Sequence, residues 1–151
     1  MKTIKLLEIA LDYRKNGLSI IPVSSKKTPL IKWKEFQTRL PSVDEIEGWF
    51  NNYKAEGIAI VTGLISGIVV IDTEKDADIS QMDFGDTVES ISGGGGRHFY
   101  YKHPGNTIEN KAGLYKKIDF RGDGGYIIAP PSKHTSGGRY EWVNVFDRDR
   151  L

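Results

Sequence analysis

GIVVIDTE, residues 67–74, is the stretch whose reading decides the fold. Residues 67–71 are apolar and mostly β-branched, and the first acid falls where a strand would emerge from a core. Side chains two apart on a strand share a face, so Asp72 and Glu74 project to the same side. Two carboxylates that close repel each other unless a cation lies between them. Hard oxygen donors of this kind select magnesium or manganese and leave the remaining positions to water and phosphate. A D-x-E standing alone reads more simply as a strand ending in polar residues; only further acids shift that balance.

Working outward, GIAIVTG (57–63) is a second β-branched run, separated from the first by Leu64, Ile65 and Ser66, a link of hairpin length. Downstream, strands are predicted at Val88–Ile91, His98–Tyr101, Lys116–Phe120, Tyr126–Ala129 and Tyr140–Val143, and the acidic connection after Glu74 has no assignable pattern. Upstream, Ile4, Leu7 and Leu11 recur at helical spacing and Gly17 stops the helix. LSIIPV (18–23) is a short buried strand, and residues 24–36 form a basic loop around Pro29. A second helix opens on a capping box of Ser42 and Glu45, with Ile46, Trp49, Phe50 and Tyr53 as its apolar face. Helices at the front and strands behind give an α+β fold with a largely antiparallel sheet, in a single domain spanning 1–151. The tail FDRDRL is highly charged and is expected to end without a packing element, as in the N-terminal part of a longer replication protein.

Composition narrows the function. The 151 residues are 38% hydrophobic and 27% charged, with no cysteine, which excludes a disulfide framework or a thiolate zinc site. No apolar stretch approaches the roughly 20 residues that span a bilayer, and Glu8 interrupts the amino terminus before a signal peptide can form. A cytoplasmic protein with no membrane partner is expected. The net charge of +1 is uninformative, but its distribution is uneven. Seven acids and one lysine lie between Asp72 and Glu89, while bases collect at Lys26, Lys27, Lys32 and Lys34 and again at Lys116, Lys117 and Arg121. Such clusters suit a polyanion held through metal ions, and equally suit solvated charge on a neutral protein.

A third acid changes the weighing. In KKIDFRGDGG (116–125), Asp119 alternates with Ile118 and Phe120 and so faces away from them, with Arg121 on its own side. Were this strand beside 67–74, three carboxylates would converge as two-metal phosphoryl transfer requires. Asp123 competes, but GDGG reads as a turn. SGGGGRHFYY (92–101) supplies glycines that let backbone amides approach an anion, with Ser92, Arg97 and His98 as side-chain donors. It is not a Walker loop, and the glycines alone read as a flexible hairpin. His98 is unattractive as a metal ligand, since neither His103 nor His134 has ligand spacing with it. Lys27, Pro29 and Trp33 place a cation and a ring on one loop, which by itself is an ordinary solvated loop with an anchoring tryptophan.

In order, Lys27-x-Pro29 with Trp33, the strand ending Asp72-Thr73-Glu74, Ser92 to Tyr100 as S-G-G-x-x-R-H-x-Y, and Asp119-x-Arg121-Gly122 running into APPS (129–132) resemble the bifunctional primase-polymerase branch of the archaeo-eukaryotic primase superfamily. The resemblance implies a helix-bearing amino-terminal unit packed on an RNA-recognition-motif-like sheet. It implies that Asp72, Glu74 and Asp119 hold a pair of Mg2+ or Mn2+ ions. His98 would contact the triphosphate with Ser92 and Arg97 close by, and Arg121 and Lys27 would touch phosphate or template. The implied partners are nucleoside triphosphates, a single-stranded DNA template with its primer, and a fused or separate helicase, in replication of a plasmid, phage or integrated element. The glycine run is longer than the family's usual pair. Two other functions use the same residues: a metal-dependent nuclease or phosphodiesterase, and a non-catalytic single-strand-binding module of RNA-recognition type, which would stack bases on sheet aromatics rather than carry acids there.

Overall fold

In the computed structural model, which describes residues 5–151, two helices and nine strands form two antiparallel sheets. The α+β class is as predicted. The helices are α1 (Leu6–Lys15) and α2 (Val43–Asn52). In chain order the strands are β1 (Ile20–Val23), β2 (Gly57–Val61), β3 (Ile68–Thr73), β4 (Val88–Ile91), β5 (Arg97–Lys102), β6 (Lys111–Tyr115), β7 (Ile118–Arg121), β8 (Tyr126–Ala129) and β9 (Glu141–Trp142). Ile4 lies outside the described residues. The capping box of α2 forms as read: the Glu45 N–H donates to Ser42 Oγ at 3.1 Å, and the Ser42 N–H to Glu45 Oε1 at 2.9 Å.

The smaller sheet runs β1-β2-β8 and the larger β6-β7-β3-β5-β4-β9. Ala10 and Tyr13 of α1, Ile46 of α2, Ile20, Ile58 and Ile60 of the small sheet, and Val70, Val88 and Tyr100 of the large one share one core. The opposite face of the small sheet is also covered, with Ile21, Ala59 and Val61 packing around Phe36. Burial on both faces is why 20–23 and 57–61 read as continuous apolar runs rather than alternating ones. Each isoleucine buried there contributes about 1.5–3 kcal/mol.

Three sequence expectations are corrected. Leu64–Ser66 does not join a hairpin: β2 and β3 lie in different sheets, each already central, between β1 and β8 and between β7 and β5. Gly63 (φ +103°) and Gly67 (φ +69°) take left-handed conformations that turn the chain from one sheet to the other. Second, β7 starts at Ile118 rather than Lys116, because Lys117 (φ 62°) belongs to the turn from β6, a strand the sequence pattern did not show. Third, the charged tail does pack. Phe146 and Leu151 rest on the core, and the Arg148 guanidinium donates to the Ser66 carbonyl at 2.7 Å and to the Asn16 carbonyl at 2.8 Å.

Asp123 fastens the joint between the sheets. Its carboxylate accepts from the Leu64 N–H and the Ile108 N–H, each at 2.9 Å, and meets His103 Nε2 at 3.0 Å. GDGG reads as a turn in sequence, and the Asp123 carboxylate there bonds backbone far along the chain. Partial burial pushes this carboxyl up, and the bonds from Ile108, Leu64 and His103 outweigh it, so the group sits below its ordinary value. Its stabilisation is therefore full above the unfolded carboxyl value of about 3.9 and is lost as pH falls through the lower folded one. Asp123→Asn should cost about 2–3 kcal/mol at neutral pH. In denaturant titrations the gap to wild type should narrow as the solution is acidified.

Candidate active site

Strand register brings the acids together. Asp72 on β3 lies directly opposite Asp119 on β7 and, on its other side, opposite His98 on β5, which is opposite Ser90 on β4. Direct cross-strand partners share a face, so one row of the large sheet reads Asp119, Asp72, His98, Ser90. The next row contains Arg121, Val70, Tyr100 and Val88, and its apolar members enter the core. The polar row thus sits at the rim of the core. It opens into a cleft of about 490 Å³ between the large sheet and the Tyr126–Ile128 edge of the small one. Lys27, Asp72, Glu74, Ser92, His98, Asp119 and Arg121 all line it.

The two aspartates share one guanidinium. Arg121 Nη2 lies 3.1 Å from Asp119 Oδ2 and 3.5 Å from Asp72 Oδ2. Each carboxylate is also held by a second group: His98 Nε2 stands 3.3 Å from Asp72 Oδ1, and the Gly113 N–H donates to Asp119 Oδ1 at 2.6 Å. Burial pushes the Asp72 carboxyl up, but the hydrogen bond and charge of His98 and the charge of Arg121 outweigh it, and the group is held below its ordinary value. Asp72 is ionised at neutral pH. Glu74 follows the end of β3; its N–H donates to the Lys117 carbonyl at 2.9 Å, and its exposed side chain has no partner among the described residues.

As the side chains stand, no three His, Asp or Glu among the described residues are close enough to share a metal ion. Arg121 neutralises Asp72 and Asp119, and Glu74 is turned to solvent. The donor set nevertheless fits magnesium or manganese in kind: hard carboxylate oxygens, two of them neighbours in register, and a third with no competing bond.

The glycine run is the β4–β5 turn, and packing explains its length. The Ser92 N–H donates to the Gly96 carbonyl at 2.8 Å, and Ser92 Oγ accepts from the Gly96 N–H at 2.9 Å. A Cβ on Gly94 would stand 2.8 Å from His134 Cε1, and one on Gly96 2.9 Å from the Thr73 carbonyl oxygen. Gly95 holds φ +95° at the turn itself. Arg97 is the predicted site residue that stays outside the cleft. Adjacent to His98 on a strand, it faces the opposite side and pairs with Glu89. Lys27 reaches the cleft from a left-handed turn position (φ 66°), its carbonyl accepting from the Tyr126 hydroxyl at 2.9 Å.

Sequence reasoning missed Lys75, His134, Tyr126 and Tyr140, which also line the cleft. Only Lys75, directly after Glu74, had a positional signal. The Tyr140 ring lies between the imidazoles of His98 (5.7 Å) and His134 (5.6 Å). Burial, then the nearby charge of Asp72, pushes its phenol up to about 12. Burial, then the charge of Lys27, holds His134 below the usual imidazole range, so it is neutral at pH 7.

This cleft combines an anionic floor with a rim of Lys27, Lys75 and hydroxyl donors, an arrangement able to take an anion through metal bridges. No helix among the described residues is long and apolar enough to cross a membrane. In comparisons with known proteins, the family model described as bifunctional DNA primase/polymerase, N-terminal, matches residues 10–149. No curated protein matches the chain.

Proposed function

Because this chain belongs to the bifunctional DNA primase/polymerase family, we propose that it extends a primer by template-directed nucleotidyl transfer, with the cleft between its two sheets as the active centre. Family membership carries primase/polymerase-type chemistry in general. The observation that supports placing it in this cleft is the row Asp119, Asp72, His98 on one sheet face.

Asp72, Glu74 and Asp119 would hold magnesium or manganese, which when bound lowers the pKa of the primer 3′-hydroxyl and neutralises the departing pyrophosphate. The chain's own residues prepare the rest. His98 and Arg121 fix the Asp72 carboxylate, while Arg121 and the Gly113 N–H fix Asp119, so neither acid has to search for its orientation when charge develops. Lys27, Lys75 and Ser92 offer donors to the triphosphate, and His98 presents its imidazole at the same wall. Tyr126, Tyr140 and the neutral His134 form the less polar side, where a base and sugar would lie.

A nuclease built on the same acids would have no need of a triphosphate site. Calorimetry with a nucleoside triphosphate and manganese therefore separates the two activities. Wild type should bind, and His98→Ala should bind about tenfold more weakly, the loss of one hydrogen bond to a charged group. Failure of the wild-type chain to bind any triphosphate would refute nucleotidyl transfer.

A further inference from the structure

A second groove, of about 460 Å³, is lined by Lys32, Lys34, Glu35, Gln37 and Thr38. The segment that builds it is firmly held. The Leu30 N–H donates to the Pro22 carbonyl at 3.0 Å, and Phe36 is buried with its carbonyl accepting from Ser19 Oγ at 2.7 Å. Trp33 lies in sequence between two of the groove's residues, Lys32 and Lys34, and is partly buried against the core cluster around Phe36. Its ring meets Tyr126 edge-on at 5.1 Å, and Tyr126 is itself part of the cleft wall. The segment that bears Lys32 and Lys34 thus touches the cleft wall through one aromatic pair.

Charge distinguishes this groove. Lys26, Lys27, Lys32 and Lys34 are all exposed, and none forms an ion pair among the described residues. The groove's one acid, Glu35, is taken up by the Arg39 guanidinium at 2.7 Å. Lys32 and Lys34, uncompensated on one groove, repel each other, and a polyanion relieves that repulsion while releasing its own counterions. An aromatic ring beside a basic groove is the combination that holds a single strand, with phosphates on the cations and a base against the ring.

We propose that the Lys32–Lys34 groove carries the single-stranded template beyond the catalytic cleft, with Trp33 as the ring against which a template base stacks. This rests on the template-directed activity proposed above, and assigns that activity a strand path.

The test is anisotropy of a labelled oligothymidine longer than the roughly 4–16 nucleotides such a groove covers, without metal or triphosphate, across a salt series. Lys32→Ala/Lys34→Ala should weaken binding about tenfold or more and reduce the slope of log K against log salt by about 1.4, two phosphates at ~0.7 each. Triphosphate binding by calorimetry should be unchanged. Trp33→Ala should weaken the strand further, and Trp33→Phe should restore most of that loss. An unchanged salt slope in the double variant would overturn the proposal. So would a parallel loss of triphosphate binding, which would place these lysines on the nucleotide, or displacement of the oligothymidine by equimolar polyglutamate, which would make the groove a site for acidic protein. Because the strand is measured without metal or triphosphate, these outcomes are separate from the failure of triphosphate binding that would refute the catalytic assignment.

Discussion

Asp72→Asn is expected to reduce primer extension by at least about 10³-fold, the several kcal/mol of transition-state charge stabilisation that a metal-holding carboxylate supports. The substitution keeps the side chain's shape and removes its charge. Asp72 is the centre of the row, with Asp119 on one side and His98 on the other, so no neighbour can take its place. Arg121 would keep its 3.1 Å contact with Asp119, and the fold should survive with a loss of about 1–2 kcal/mol. The check is a pair of measurements on one preparation: extension of a primed template, and a urea titration. Near-normal stability with activity lost is the expected pattern. Equal activity in the two proteins would show that the acids of this sheet do not carry the chemistry.

Tyr100→Ala should have the largest effect on stability. Tyr100 is fully buried on β5, two residues from His98, with Val70 and Val88 as its cross-strand partners and the ring of Trp142 at 5.2 Å. It joins the large sheet to the core that α1 covers. Truncating a large aromatic in such a place leaves a cavity that rigid neighbours cannot fill, at a cost of about 3–5 kcal/mol. A domain's whole stability is about 5–15 kcal/mol, so a large part of it would go. Tyr100→Phe keeps the ring and removes a hydroxyl that has no hydrogen-bond partner among the described residues, and it should stay within about 1 kcal/mol of wild type. Urea midpoints for the three proteins, with unchanged slopes, decide the matter.

Local geometry was legible in the sequence where it depended on a few adjacent residues. The capping box of α2, the strands at 88–91 and 126–129, and the shared side of Asp119 and Arg121 all follow from spacing. The face of Arg97 was legible too: applied to 97 and 98, the period of two separates them, as the Arg97–Glu89 pair shows. Pairing was harder. The short link between 57–63 and 67–74 has the length of a hairpin, but strand partners are set by which faces the rest of the chain must cover. Here both strands are central in separate sheets. The edge strand β6 is exposed at every residue and carries a glycine, so no alternation marked it. Nor could the sequence show that Gly93, Gly94 and Gly96 are required by His134, Gly138 and the Thr73 carbonyl, contacts made across the fold, while Gly95 serves the turn itself. The register Asp72 to Asp119 is of the same kind: each acid was visible alone, and their adjacency belongs to the sheet.

A crystal soaked with manganese and a non-hydrolysable nucleoside triphosphate tests the central claim most directly. The account predicts anomalous peaks at about 2.0–2.2 Å from oxygens of Asp72 and Asp119, the range of small hard cations, with Glu74 turned inward and the triphosphate beside His98. Triphosphate bound away from this cleft, or bound in it with Arg121 still bridging the two aspartates and no manganese between them, would contradict it.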